Sequence, residues 1–447
     1  MNAVAQAIDH YLAQHAQAAD SLAGVSASWL QESRRAAIRD FAARGFPTAR
    51  DEDWKYTRTT AIERRLFGCA AVGDAAVDID RIANLLRVES SGPCLVFING
   101  RHYPALSRTD NLPAGATVAS LNEVMRAHPE RLQGVFGAVA ELERHRFAAL
   151  NAAFADEGVF IALAKNTVVE QPISAVFIAT AALEGHVVQP RVLVKAEANT
   201  RATFIERYIA LDEAVYFSNA VTEVVLAENA AIDYFRVQEE SAKAFHISGV
   251  HVRQARDSRF SSHAITLGGA ITRNDVDVRL AAPGASCTLN GLYMANGREH
   301  VDTHTRVDHL APHCTSSEYY KGILDGHGRG VFNGKVIVHP DAQKSDARQS
   351  NKNLLLSADA EADTKPQLEI YADDVKCAHG ATVGQLDADA VFYLRSRGMD
   401  EAAARSLITY AFAAEMIEAV AAPALRAYLK EAVLTRLPGV ASDRELI

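Results

Sequence analysis

Basic side chains are scarce where targeting signals need them: no lysine or arginine precedes Arg34. A secretory signal or a mitochondrial presequence would lack its positive region, so the expected location is cytoplasmic. Over all 447 residues, 46 basic side chains face 55 acidic ones, a net charge of -9. With no long Lys/Arg run to offset that balance, nucleic acid is not an expected partner. Long apolar runs are missing too. The longest, near 173–183, is too short to cross a bilayer, so no membrane partner is expected. Five cysteines (Cys69, Cys94, Cys287, Cys314, Cys377) are scattered, odd in number and without a CxxC pair. They make neither a disulfide framework nor a self-contained zinc site. A phosphate loop is absent as well. In "GRGVFNGKVIV" the glycines Gly328 and Gly334 enclose five residues instead of four, and Val336 follows Lys335 where Ser or Thr is required.

What is present points to more than one structural region. The first stretch is Ala-rich, with Ile8 and Leu12 on one helical stripe, and a second helix spans about 28–44 before Gly45-Phe46-Pro47 stops it. "PCLVFINGRHY" reads as a strand and a turn at Asn99-Gly100. A helical stretch covers about 121–154. Strand-rich sequence then dominates to about Asp387. Runs starting at Val192, Val224, Val250, Val276, Val307 and Val336 lie 32, 26, 26, 31 and 29 residues apart. That spacing suits a stacked β-solenoid, each turn burying its apolar face on the next; a sandwich or barrel also yields many short strands. The expected division is 1–157 mostly helical, 158–387 a β-helix core, and 388–447 a helical docking domain.

Three groups of residues invite a chemical reading. Cys377 and His379 sit two apart in a strand-like stretch and therefore share one face. Thiolate and imidazole suit zinc, ferrous iron or an iron–sulfur cluster, yet two ligands complete none of these. Either the pair is structural, or further ligands come from elsewhere. His300, His304, His309, His313 and Cys314 could form a metal centre, but strand alternation and the Pro312 corner scatter them, favouring a polar ladder. After the N-cap Asp400, the ladder Ile408, Phe412 and Met416 either packs on the body or docks a partner. Pro423 then splits this helix from a second.

Four segments together resemble one known family. "GFPTARDEDWKYT" (45–57), "HVDTHTRVDHLAPHCTSSEYYKGILDG" (300–326), "GRGVFNGKVIVHPDAQKSDARQSNKNLLLS" (328–357) and "KPQLEIYADDVKCAHGATVGQLDADAVFYLRSRGM" (365–399) are similar to the SufD family. Its members are scaffold subunits of SUF iron–sulfur cluster assembly. Residues 350–357 hold no cysteine and Gly380 follows His379, both unlike the paralogous SufB type. The resemblance implies a mainly β fold, a right-handed parallel β-helix core with helical N- and C-terminal regions. It also implies pairing with SufB and with the ABC-type ATPase SufC, which carries the ATPase activity, so no catalytic residue is expected here. Cys377 and His379 become candidate metal ligands for a transient iron–sulfur cluster at the SufB interface, with no intrinsic cofactor. Two alternatives are a β-helix polysaccharide lyase or hydrolase and a SufD homodimer with a separate iron-handling role. The lyase reading needs converging acids, and the strand region offers isolated ones such as Asp275, Asp302 and Asp325.

Overall fold

Alternation of β-branched or aromatic side chains with polar ones turns the middle of the chain into strands, many of them ten residues long. In the computed structural model, which describes residues 3–69, 78–89 and 91–437, these strands build two 10-stranded sheets. Each coil of the chain gives one strand to each sheet, and neighbouring coils pair in parallel, producing a solenoid of about eight turns. This excludes the Greek-key sandwich that the strand content alone permits. The expected run starts stack as a solenoid demands. Val192, Val250 and Val276 lie on one level through Thr222. Val224, Val307 and Val336 share the level two residues along, on the same inward face.

Successive coils turn one corner on a residue with positive φ: Asn166, Asn199, Asn229, Asp257, His313 and Lys344. Asparagine and aspartate tolerate this backbone because their short polar side chains bond locally. Asn199 and Asn229 also donate along the stack, each to the preceding asparagine at 2.9 Å.

Helices cover both outer faces. Tyr11, Phe41, Phe147 and Leu150, from Ala3–Ala18, Ser28–Arg44 and Arg146–Phe154, pack on Phe217, Phe245 and Ile247 of one sheet. Met416, Leu425 and Leu429, from Glu401–Glu418 and Pro423–Leu434, pack on Ile205, Phe235, Ile265 and Leu292 of the other. The stretch 121–154 is not one helix. It breaks after Leu121–Ala127, where Pro129, Gly134 and Gly137 interrupt it. The freed backbone has a purpose: the N–H groups of Gly137, Val139 and Ala140 donate to Glu223 at 2.8, 3.0 and 3.1 Å. Glu223 in turn holds fully buried Arg191 at 2.5 Å, a pair that needs every one of those bonds.

The charged and aromatic segment near residue 50 lies across the same sheet as a strap. Trp54 stacks on Arg273 at 3.9 Å from the ring centroid, Asp51 pairs with Arg146 at 2.5 Å, and Thr57 donates to Asp302.

The two ends of the solenoid differ. At the start, Cys94–Ile98 extends one sheet and turns back on Arg101–His102 through Asn99-Gly100, while Ala116–Ser120 closes the other sheet in antiparallel fashion. At the far end, Glu361–Ile370 and Lys376–Gln385 are the outermost strands, and among the described residues no strand covers their free edges. Solenoids ordinarily cap such an end. No helix among the described residues is long and apolar enough to cross a membrane.

Candidate functional site

Both residues of the Cys-x-His motif lie on the uncapped strand Lys376–Gln385. Its parallel neighbour sets Cys377 beside Ala347 and His379 beside Gln349. Ala347 belongs to the interior core, and Cys377 packs against that same core, half-buried. Two residues on, His379 is exposed on the same face, at the mouth of the solenoid. Burial raises the Cys377 thiol above its usual range, so a proton-free sulfur needs a cation or a donor brought to it. The half-buried thiol and the open imidazole share one face of the outermost strand.

Behind them runs a polar row that the residue types alone did not reveal. Register aligns His379 with Gln349 and Gln349 with Glu318. Inside the solenoid the Gln349 amide donates to Glu318 at 3.3 Å, and the Thr305 hydroxyl, from the opposite sheet, donates to it as well. Desolvation pushes the Glu318 carboxyl up to about 7. The coil length near 30 residues was the available signal. Stepping back from His379 by one turn and then another reaches Gln349 and Glu318.

The segment that follows the end strand exposes aromatic side chains. The helix Ala388–Ser396, capped by Asp387, has no buried residue. It presents Phe392 at 71% and Tyr393 at 57% exposure, and Tyr371 and Val383 are exposed as well.

The other candidates are placed apart from the mouth. Of the histidine-rich stretch, His300 bonds Thr57 at 2.7 Å outside the sheet, and His304 lies 3.0 Å from Asp302. His309 is buried between Ser316 and Ser345 at 2.8 and 3.2 Å, His313 turns the corner, and Cys314 is in the core. They do not converge. Asp275 and Asp302 both bind Arg273, while Asp325 caps the Gly326 N–H, so the three acids make no hydrolytic pair. Met416, at 3% exposure, is taken up by packing on the body; Ile408 and Phe412 remain half-buried.

Comparison with known proteins bears on this geometry. Residues 177–412 match the model of the SUF system FeS cluster assembly SufBD core domain, and residues 5–175 match that of the SufBD protein N-terminal region. An iron–sulfur cluster assembly SufBD family protein of Synechocystis is 33% identical over 423 residues, 93% of each chain. The iron–sulfur cluster assembly protein SufD of Escherichia coli is 34% identical over 397 residues, 88% of this chain and 90% of its own. SufD of Bacillus subtilis is 26% identical over 348 residues, covering 76% of this chain and 78% of that one.

Proposed function

This chain belongs to the SufBD family of iron–sulfur cluster assembly proteins, and from that membership we propose a SufD-type scaffold whose open solenoid end pairs with SufB. One observation carries the reading: the uncapped strand Lys376–Gln385 bears Cys377 and His379 at its mouth. A nascent cluster wants about four ligands, and this end supplies at most two. The paired chain provides the rest, so the cluster, as cargo, forms only in the complex. His379 is the firmer ligand. Neutral imidazole ligates near pH 7, whereas the half-buried thiol must first lose its proton.

The scaffold has no ATPase of its own in this reading. SufC docks on the C-terminal helices, where Ile408 and Phe412 retain accessible surface; buried Met416 instead ties that docking surface to the body. Movement of the helices is thereby transmitted to the sheet beneath. The division at 1–157, 158–387 and 388–447 then corresponds to a cover, a core and a docking region.

Complementation of a SUF-dependent strain tests the site. His379→Ala should abolish growth and cluster yield at normal protein level, and Cys377→Ala should impair them less. Neither should unfold the protein, since exposed or half-exposed side chains at an edge typically cost about 1 kcal/mol or less. Normal growth with His379→Ala removes the residue from the mechanism.

A further inference from the structure

We propose a second, resident cation site formed by His145, His251 and Asp277, remote in sequence from the Cys-x-His motif and independent of the interface reading. Among the described residues, these three form a group of potential ligands whose donor atoms lie within 4.8 Å of one another. His251 and Asp277 are direct partners on adjacent strands, so the solenoid register fixes them side by side. His145, the residue before the helix Arg146–Phe154, is set over them from the N-terminal cover. Its Nε2 lies 2.5 Å from Asp277 Oδ2, and His251 Nδ1 lies 3.4 Å from the same oxygen.

The second observation is a missing partner. Apart from the 3.4 Å approach of Nδ1 to Asp277, neither ring nitrogen of His251 has a partner in hydrogen-bond geometry, although the side chain is only 1% exposed. Leaving a buried donor or acceptor unmet costs about 1–3 kcal/mol, and an occupant of the cluster relieves that cost at the one nitrogen it takes. The ring has been given room: a Cβ on Gly249 would stand 2.6 Å from His251 Nε2. Gly249 has no positive φ to explain it, so space for the imidazole is the reason for glycine there.

Charge is arranged to suit. Arg273 is bound by Asp275 and Asp302, Arg306 by Asp308, and Arg279 and Arg144 by Glu141. Arg279 and Arg144 thus share one carboxylate and Arg144 also feels the charge of Asp277, while the close contacts of Asp277 are to the two histidines. Two imidazoles and one carboxylate suit a first-row divalent cation such as Fe(II) or Zn(II). Bonds of about 2.0–2.2 Å space neighbouring ligand atoms about 3–3.5 Å apart, so a cation needs side-chain rotations that part His145 from Asp277, now at 2.5 Å, and draw together any pair wider than that spacing. His145 and Asp277 also line a cleft with Trp54, Arg144 and His304, from which water completes the coordination.

The test uses the purified full chain, chelator-treated and anaerobic, titrated with Co(II), Zn(II) and Fe(II). Wild type should bind one equivalent here, and a Cys377→Ala/His379→Ala double variant should keep it. His251→Ala and Asp277→Asn, checked for folding by circular dichroism, should weaken it more than about a hundredfold, beyond the 10–100-fold typical of outer-shell changes. X-ray absorption of the Zn(II)-loaded wild type reads the ligands without any substitution. Imidazole and oxygen scattering without sulfur supports the site. Failure of wild type to bind a cation, sulfur ligation of the bound one, or unchanged affinity in folded His251→Ala and Asp277→Asn overturns it.

Discussion

Replacing Glu318 with glutamine should make the protein progressively more stable as pH rises from 4.5 to about 7, with no effect below 4.5. The carboxyl is 2% exposed, held by the Thr305 hydroxyl and the Gln349 amide, with no cation bonded to it. Burial raises its pKa from 4.5 to about 7. Below 4.5 both folded and unfolded chains carry the proton, and the group is neutral to stability. Between 4.5 and 7 the unfolded chain releases a proton that the folded chain keeps, so stability falls as pH rises. Above 7 the full penalty applies, on the order of 3 kcal/mol. Glutamine keeps the shape without the charge. The Gln349 carbonyl oxygen, buried and unpaired, is placed to accept from the new amide after a flip. For a chain of this length, 3 kcal/mol moves the melting temperature by roughly 3 °C. Melts of wild type and Glu318→Gln at pH 5, 6, 7 and 8 should therefore diverge progressively and level off past 7. A gap that is constant across pH, or a variant less stable at pH 8, refutes the argument that the interior row holds a strained acid.

His309 should behave in the opposite sense. Burial pushes its pKa down to about 4 from 6.5, so its stabilising effect is complete above about 6.5 and is lost as pH falls toward 4. His309→Ala should cost about 2–4 kcal/mol at neutral pH by orphaning Ser316 and Ser345 and opening a cavity, and it should flatten the acid slope; pH-resolved denaturation reads both. Removing residues 400–447 should strip cover from the sheet face holding Ile205, Phe235, Ile265 and Leu292, so the truncated chain aggregates at a concentration where wild type is monodisperse by light scattering.

Much of the solenoid was readable because its two signals are local. Strand-rich runs marked the solenoid region, and the spacing of their valine starts gave the coil length. The Asn99-Gly100 hairpin and the Asp400 cap were legible for the same reason, and the latter accepts the Ala403 N–H at 2.8 Å. Long-range pairing was not readable. Nothing near Trp54 announces Arg273 as its partner, and the break after Ala127 exists to serve Glu223, far along the chain. Likewise the Cys377/His379 pair could be put on one face from spacing. Its position at an uncapped end followed only once the strand order was known. The ladder Ile408, Phe412, Met416 shows the same limit, since periodicity gives a face without saying what lies opposite. Met416 turned out to face the body.

Hydrogen–deuterium exchange of the full chain, alone and with SufB, tests the central claim most directly. An edge strand leaves alternate amides without a partner. In isolation, Glu361–Ile370 and Lys376–Gln385 should thus exchange much faster than Ser286–Ala295 and His300–His309 deeper in the stack. On binding SufB, the account predicts strong protection of both end strands and of the helix Ala388–Ser396, with the N-terminal cover unchanged. Undiminished exchange at 376–385 in a complex that has formed, with protection confined to other surfaces, would contradict it.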